Sequence, residues 1–166
     1  KSQRFGNLFA DALREAMAAG AHRGVLLCDR LLAGSDTWAT ANALAAAIQW
    51  LGGAELVLCG MSALDGETGQ VGPSVAQRLG WPQATGCESL AIDGASLVAR
   101  RIVEGGFERL RLPLPAVITV SETGYAPRYP SLPARRRAAT ASIEHISVAD
   151  VGLGPDDVGL AASPTK

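Results

Sequence analysis

An α/β fold, a parallel sheet flanked by helices with an antiparallel strand extension, is what this sequence predicts, and three observations predict it. Two short runs, Gly24-Val25-Leu26-Leu27-Cys28 and Glu55-Leu56-Val57-Leu58-Cys59-Gly60, are continuously apolar, the pattern of parallel strands covered on both faces. Stretches with helical spacing precede, separate and follow them, and this order requires crossovers and therefore parallel pairing. Past Pro82 the pattern changes to strand-like segments joined by tight turn signals, which reads as antiparallel. Composition agrees: aromatic residues are only 5% and glycines number 19, so close approach of elements must fill the core in place of large rings.

Taken in order, Leu8, Ala12, Leu13, Ala16 and Met17 recur at helical spacing over Phe5 to Ala19, with Gly20 as a stop. Gly24 to Cys28 is the first strand, read as central, with Asp29-Arg30 at its carboxyl end. Ser35-Asp36-Thr37-Trp38 supplies an N-cap ahead of a helix from Ala39 to Leu51, whose stripe is Thr37, Ala41, Leu44, Ile48 and Leu51. Glu55 to Gly60 repeats the buried-strand pattern, and Gln70 to Leu79 is a further helix ended by Gly80 and Pro82. Cys87 to Ile92, Leu97 to Val103 and Phe107 to Leu112 read as strands, separated by Asp93-Gly94 and Glu104-Gly105-Gly106. Ala116 to Val120 is another buried strand. A Pro- and Arg-rich stretch follows, and the tail from Val151 onward reads as extended.

The chain of 166 residues is read as one domain, 1–166, large enough for a core without staples. Net charge is -1, with arginine supplying every cation except Lys1 and Lys166, so nothing in the charge balance proposes a nucleic-acid partner. No run approaches the length of a membrane span, no signal pattern opens the chain, and the expectation is a cytoplasmic protein without membrane insertion. Cys28, Cys59 and Cys87 are far apart and have no histidine at ligand spacing, which argues against a disulfide framework and a zinc site. Cys28 and Cys59 lie inside apolar strands and read as inert buried thiols. His22 and His145 read as structural, and no G-x-S-x-G occurs, so the cast for a hydrolase or transferase is poor.

Open parallel sheets bind ligands at the carboxyl ends of their strands, which singles out the loop from Gly60 through Asp65, Gly66, Glu67, Thr68, Gly69, Gln70 and Val71. It runs directly into a helix. Gly66 and Gly69 let the backbone approach a ligand, the first-turn N–H groups favour an anion such as a nucleotide phosphate, and Thr68 adds a hydroxyl. The alternative is that Asp65 and Thr68 merely cap the helix. Asp29 either meets a ribose or amide or caps locally. The stretch Arg128 to Arg137 is either a solvated basic face or a contact with a partner subunit or with cofactor phosphates.

Three passages resemble the beta subunit of electron transfer flavoproteins, including its FixA-like branch. They are Asp36-Thr37-Trp38-Ala39-Thr40-Ala41, the run from Leu56 to Pro73 with Thr68-Gly69-Gln70-Val71-Gly72-Pro73, and Ala99-x-Arg101-x-x-Glu104-Gly105-Gly106-x-Glu108-x-Leu110 followed by Pro115-Ala116-Val117-Ile118-Thr119. Pro127 to Pro133 and Val158 to Thr165 add to the likeness, which spans about Ala12 to Lys166.

The resemblance implies a Rossmann-like, adenine-nucleotide-binding fold. It implies pairing as a heterodimer with an alpha subunit that holds most of the FAD, and an electron-carrier role between dehydrogenases and an acceptor with no bond-making by the chain itself. It implies a structural AMP, or a second FAD in its place, and it puts the AMP phosphate on the loop Gly66 to Val71. By the same comparison, the family's N-terminal strand and C-terminal arm are expected to be missing from 1–166. Tyr125-Ala126 stands where the family commonly has Asn-Glu. A stand-alone adenine-nucleotide-binding module is the alternative expectation.

Overall fold

The computed structural model describes residues 2–63 and 66–165. Helix α1 (Ser2–Ala19) packs against strand β1 (Gly24–Leu27), where the side chains of Leu13 and Met17 close over Gly24. β1 pairs in parallel with β7 (Ile143–Ile146), Gly24 opposite Ile143 and Leu27 opposite Ile146. The expectation of a central, fully covered strand is corrected: among the described residues β1 has one partner, and Val25 to Leu27 are half-buried. Cys28, at its end, is exposed and so is no buried thiol. Asp29 takes the local reading. One carboxylate oxygen accepts from the Leu31 N–H at 3.0 Å, capping a short 3-10 turn (Arg30–Leu32), and the other accepts from the Val148 N–H at 3.2 Å.

Helix α2 (Thr37–Trp50) begins where expected, because the Asp36 carboxylate accepts from the N–H groups of Trp38 and Ala39 at 3.0 Å. Its buried residues are Ala39, Ala41, Ala43 and Ala45, while Leu44 and Leu51 of the expected stripe stay 39% and 42% exposed. The helix is held on two sides, and alanines let both neighbours come close. Ala41 packs with Val75, Ala76 and Val117, whereas Ala43 packs with Val148 and Val158.

The second sheet runs β2 (Leu56–Gly60), β6 (Ala116–Val120), β3 (Gln83–Asp93), β4 (Ser96–Val103) and β5 (Gly106–Pro113) in spatial order. β2 and β6 are parallel, β6 and the start of β3 are parallel, and β3, β4 and β5 form an antiparallel meander. One strand joins both parts. β3 is longer than its sequence pattern predicts: Gln83 and Ala84 pair with β6, a register shift follows between Cys87 and Ser89, and the remainder turns onto β4. Ala116, Val117 and Ile118 are buried because β6 has a strand on each side. β2 lies at the edge, which leaves Leu58 56% exposed and Cys59 half-buried. Burial pushes the Cys59 thiol up, and that of Cys87 too, where Arg101 opposes the shift.

Helix α3 (Val71–Leu79) lies between β2 and β3 in sequence and packs on α2 and β6. Two elements come from a stretch whose sequence pattern predicts none. α4 (Leu132–Ala139) is capped by Ser131 and rests on α1, and β7 completes the small sheet. The tail is not simply extended, since Gly159–Ala162 forms a short helix, α5. His22 and His145 are both exposed, so neither belongs to the core. Among the described residues no helix is long and apolar enough to cross a membrane, and no cluster of His, Cys, Asp or Glu fit for a metal occurs.

Candidate functional site

Because β2 and β6 are parallel and in register from Leu56 opposite Ala116 to Gly60 opposite Val120, both strands deliver their chains to the same rim. Gly60 ends β2 there. A cavity of about 700 Å³ opens at this rim between the loop after β2 and the first turns of α2. Gly60, Gly66, Glu67, Thr68, Gly69, Gln70 and Val71 all line it, so the structure brings the sequence-predicted residues together. Asp65 lies outside the described residues.

The loop is shaped by backbone constraints. Gly69 has φ +62°, and a Cβ there would sit 3.5 Å from the Met61 carbonyl oxygen across the loop. Glu67 holds φ 46°, uncommon for a residue with a side chain, which marks the loop as determined by its surroundings. Gly72 fixes the start of α3. A Cβ on it would run into the Thr119 methyl group, and Thr119 in turn accepts the Gly86 N–H on Oγ1 at 2.9 Å. Thr119 is 2% exposed and so binds β6, the bend of β3 and the first turn of α3 into one unit.

The two helix starts facing the cavity differ. α2 is fully capped: besides Trp38 and Ala39, the Asp36 carboxylate accepts the N–H and hydroxyl of Thr165 at 3.1 and 2.8 Å. These hydrogen bonds, with that of the Ala39 N–H the largest, hold Asp36 at a pKa of about 2 against some desolvation. At α3 the N-cap residue Gln70 makes no side-chain capping hydrogen bond. Thr68 Oγ1 accepts only from the Gln70 N–H, at 3.4 Å, so capping of the helix by Thr68 is not what the structure shows. Among the described residues the N–H groups of Val71 and Gly72 at the cavity wall have no side-chain acceptor, and they are a natural place for an anionic oxygen. The described lining holds Asp36 and Glu67 but no lysine or arginine. Among the described residues an anion here would be met by backbone donors, hydroxyls and the Gln70 amide, with no cationic side chain.

The loop from Asp29 to Thr37, expected from the sequence to open on the same rim, brings Ser35, Asp36 and Thr37 to the far wall; sequence reasoning missed Thr40 of α2, Cys59 of β2 and Thr165 of the tail, which complete it. The Ser-Asp-Thr capping signal was visible, but capping and cavity lining are not distinguishable without the third dimension. Thr165 arrives through a latch. Ser163 Oγ donates to the Gly159 carbonyl at 2.7 Å and accepts the Asp36 N–H at 2.9 Å, and Ser35 Oγ accepts the Gly159 N–H at 2.9 Å.

Residues 5–151 match the family model described as electron transfer flavoprotein domain. Among curated proteins, the chain is 39% identical over 156 residues to electron transfer flavoprotein subunit beta of Thermoanaerobacterium thermosaccharolyticum, covering 93% of this chain and 60% of that protein. It is 40% identical over 157 residues to the caffeyl-CoA reductase-Etf complex subunit CarD of Acetobacterium woodii, covering 95% and 60%. It is 44% identical over 163 residues to protein FixA of Rhizobium meliloti, covering 93% and 56%. The chain thus spans about 60% of the length of the first two of these relatives.

Proposed function

Since the chain belongs to the electron transfer flavoprotein family, on its beta-subunit side, we infer that it is a nucleotide-binding electron-carrier subunit that works with an alpha-type partner. The rim cavity is its adenine-nucleotide site, with Gly60, Asp65, Gly66, Glu67, Thr68, Gly69, Gln70 and Val71 as the binding loop. The ligand is AMP, or a second FAD in the same place. The partner holds most of the FAD, which supplies the redox chemistry when bound, and the pair carries electrons from dehydrogenases to an acceptor in the cytoplasm.

The observation that carries this reading is the first turn of α3, which no described side chain caps, on a cavity wall shared with the glycine-bearing loop. This chain's residues would hold the phosphate through the Val71 and Gly72 N–H groups and the Thr68 hydroxyl. Asp36, committed to α2 and Thr165, keeps its charge off the phosphate side, and Thr119 holds the first turn of α3 in place.

Mass spectrometry of small molecules released on denaturation, from the chain alone and after co-expression with an alpha-type subunit, tests the reading. AMP is the expected product for a conventional carrier, and FAD for the variant with a second flavin. Gly69→Trp fills the loop mouth and is expected to remove the nucleotide. Unchanged nucleotide content in that variant would refute the site assignment.

One observation favours a second reading, a stand-alone nucleotide-binding module. The Tyr125 hydroxyl accepts the Leu90 N–H at 2.7 Å, tying this segment to β3, and Ala126 offers no polar group where the family commonly has a carboxylate. A monomer that retains AMP but never joins an alpha-type subunit would select it.

A further inference from the structure

Helix α3 lies on β6, and the two elements meet residue against residue. On one face of β6, Val117 packs against Val75 and Ala76, and Thr119, the next residue on that face, meets Gly72 one turn earlier in the helix. Thr119 is paired across the strands with Cys59. A Cβ on Gly72 would sit 3.6 Å from the Cys59 Cβ and run into the Thr119 methyl, so the first turn of α3 rests on this pair with nothing but hydrogen between.

That turn carries few donors. Pro73 has no N–H, and the Ser74 N–H already donates to the Gln70 carbonyl at 2.9 Å. The Gln70 N–H is directed to Thr68 Oγ1 at 3.4 Å. Among the described residues the N–H groups of Val71 and Gly72 are left for an anionic oxygen, on a cavity wall whose described lining has no lysine or arginine. A phosphate held in this way depends on where the donors stand, because hydrogen bonds weaken steeply with misalignment and no cationic side chain compensates.

Thr119 is itself fixed. It is 2% exposed, and its Oγ1 accepts the N–H of Gly86, which has φ +63° where the pairing of β3 with β6 shifts register. This bond decides which γ substituent faces which neighbour: the hydroxyl goes to β3 and the methyl to α3. Packing explains the burial. The division of the two γ substituents between the β3 bend and the donor-bearing turn gives the residue a further task.

We propose that Thr119 is the positioning residue that makes the rim cavity selective for a phosphate-bearing nucleotide over the bare nucleoside. Its methyl sets where the Val71 and Gly72 N–H groups stand, and its hydroxyl holds the methyl there. Thr119 is not in the described lining of the cavity and acts through α3. The inference rests on the reading of that cavity as an adenine-nucleotide site.

The test is exchange of labelled AMP and labelled adenosine into the full chain by equilibrium dialysis, with a thermal melt of each variant. The wild type is expected to hold AMP at least about tenfold tighter than adenosine. Thr119→Ser keeps the hydroxyl and removes the methyl, and is expected to lower AMP affinity about tenfold while adenosine stays within about twofold. Thr119→Val keeps a methyl against Gly72 on an equally stiff side chain but leaves the Gly86 N–H without its acceptor, so its melting temperature falls while its AMP preference stays within about twofold. Thr119→Ser combined with Gly72→Ala moves the methyl across the contact and is expected to recover most of the preference, which keeps the test open if Thr119→Ser alone melts too low to assay. If Thr119→Ser keeps the AMP preference, or if the preference falls in step with melting temperature in both single variants, Thr119 is only a packing residue: the inference is overturned and the nucleotide reading stands. If the wild type takes adenosine as tightly as AMP, or takes neither, the turn holds no phosphate and both fall.

Discussion

Single atoms decide much of the cavity's geometry. Gly72 is the clearest case, because the Thr119 methyl already occupies the place of its missing Cβ. Gly72→Ala is expected to cost about 1–3 kcal/mol, the usual range for overpacking, and to reduce nucleotide retention by shifting the α3 start. Denaturant unfolding and ligand release measure the two effects. Asp36 sets the acid limit of the far wall. Its carboxyl is held down at about 2, below the unfolded value, so its contribution is present above the unfolded pKa and is lost as pH falls through the folded one. Protection of the tail amides around Thr165, taken relative to their intrinsic exchange at the same pH, should therefore be high at neutral pH and fall as pH drops from about 4 to 2. Unaltered protection across that window would show that Asp36 does not hold the tail. The glycines and the capping aspartate are legible in the sequence as types; what each one touches is not.

At the scale of elements, the meander and the crossing segment after β6 show how contacts far apart in sequence set local shape. Leu97 is fully buried in the cluster of Ala84, Cys87, Ala99, Leu112 and Ile118, so Leu97→Ala is expected to cost about 2–5 kcal/mol in a urea titration. Gly124→Ala tests the crossing segment, since its Cβ would meet backbone at Glu88, which has no rotamer by which to yield. We expect the Tyr125 to Leu90 hydrogen bond to be lost, seen as faster exchange of the Leu90 amide. The strands β4, β5 and β6 are legible because turn signals and apolar runs agree there. β7 was not, since four residues with a Glu-His pair in the middle carry no periodicity, and only pairing with β1 makes them a strand. α4 was hidden for a related reason: its inward face is alanine, so no apolar stripe betrays it.

Across the whole molecule, the tail is tied to the start of α2 by the Ser163 latch, which bridges positions more than a hundred residues apart. Ser163 is 3% exposed and saturated with hydrogen bonds, so Ser163→Ala leaves buried groups unpaired and is expected to cost about 1–3 kcal/mol, read from thermal or urea unfolding. The same variant should loosen Thr165 and open the rim cavity on the α2 side. The sequence by itself determined the α/β class, the order of its main helices and strands, the loop from Gly60 to Val71 and the family likeness, because these rest on local periodicity, turn chemistry and contiguous motifs. Tertiary structure alone decided that β1 pairs with β7 while β2 and β6 head the second sheet, and that Cys28 is exposed rather than buried. It also decided that α2 and the tail form the far wall of the cavity. Those are outcomes of which surfaces meet, and a pairing between Asp36 and Thr165 leaves no mark in the residues between them.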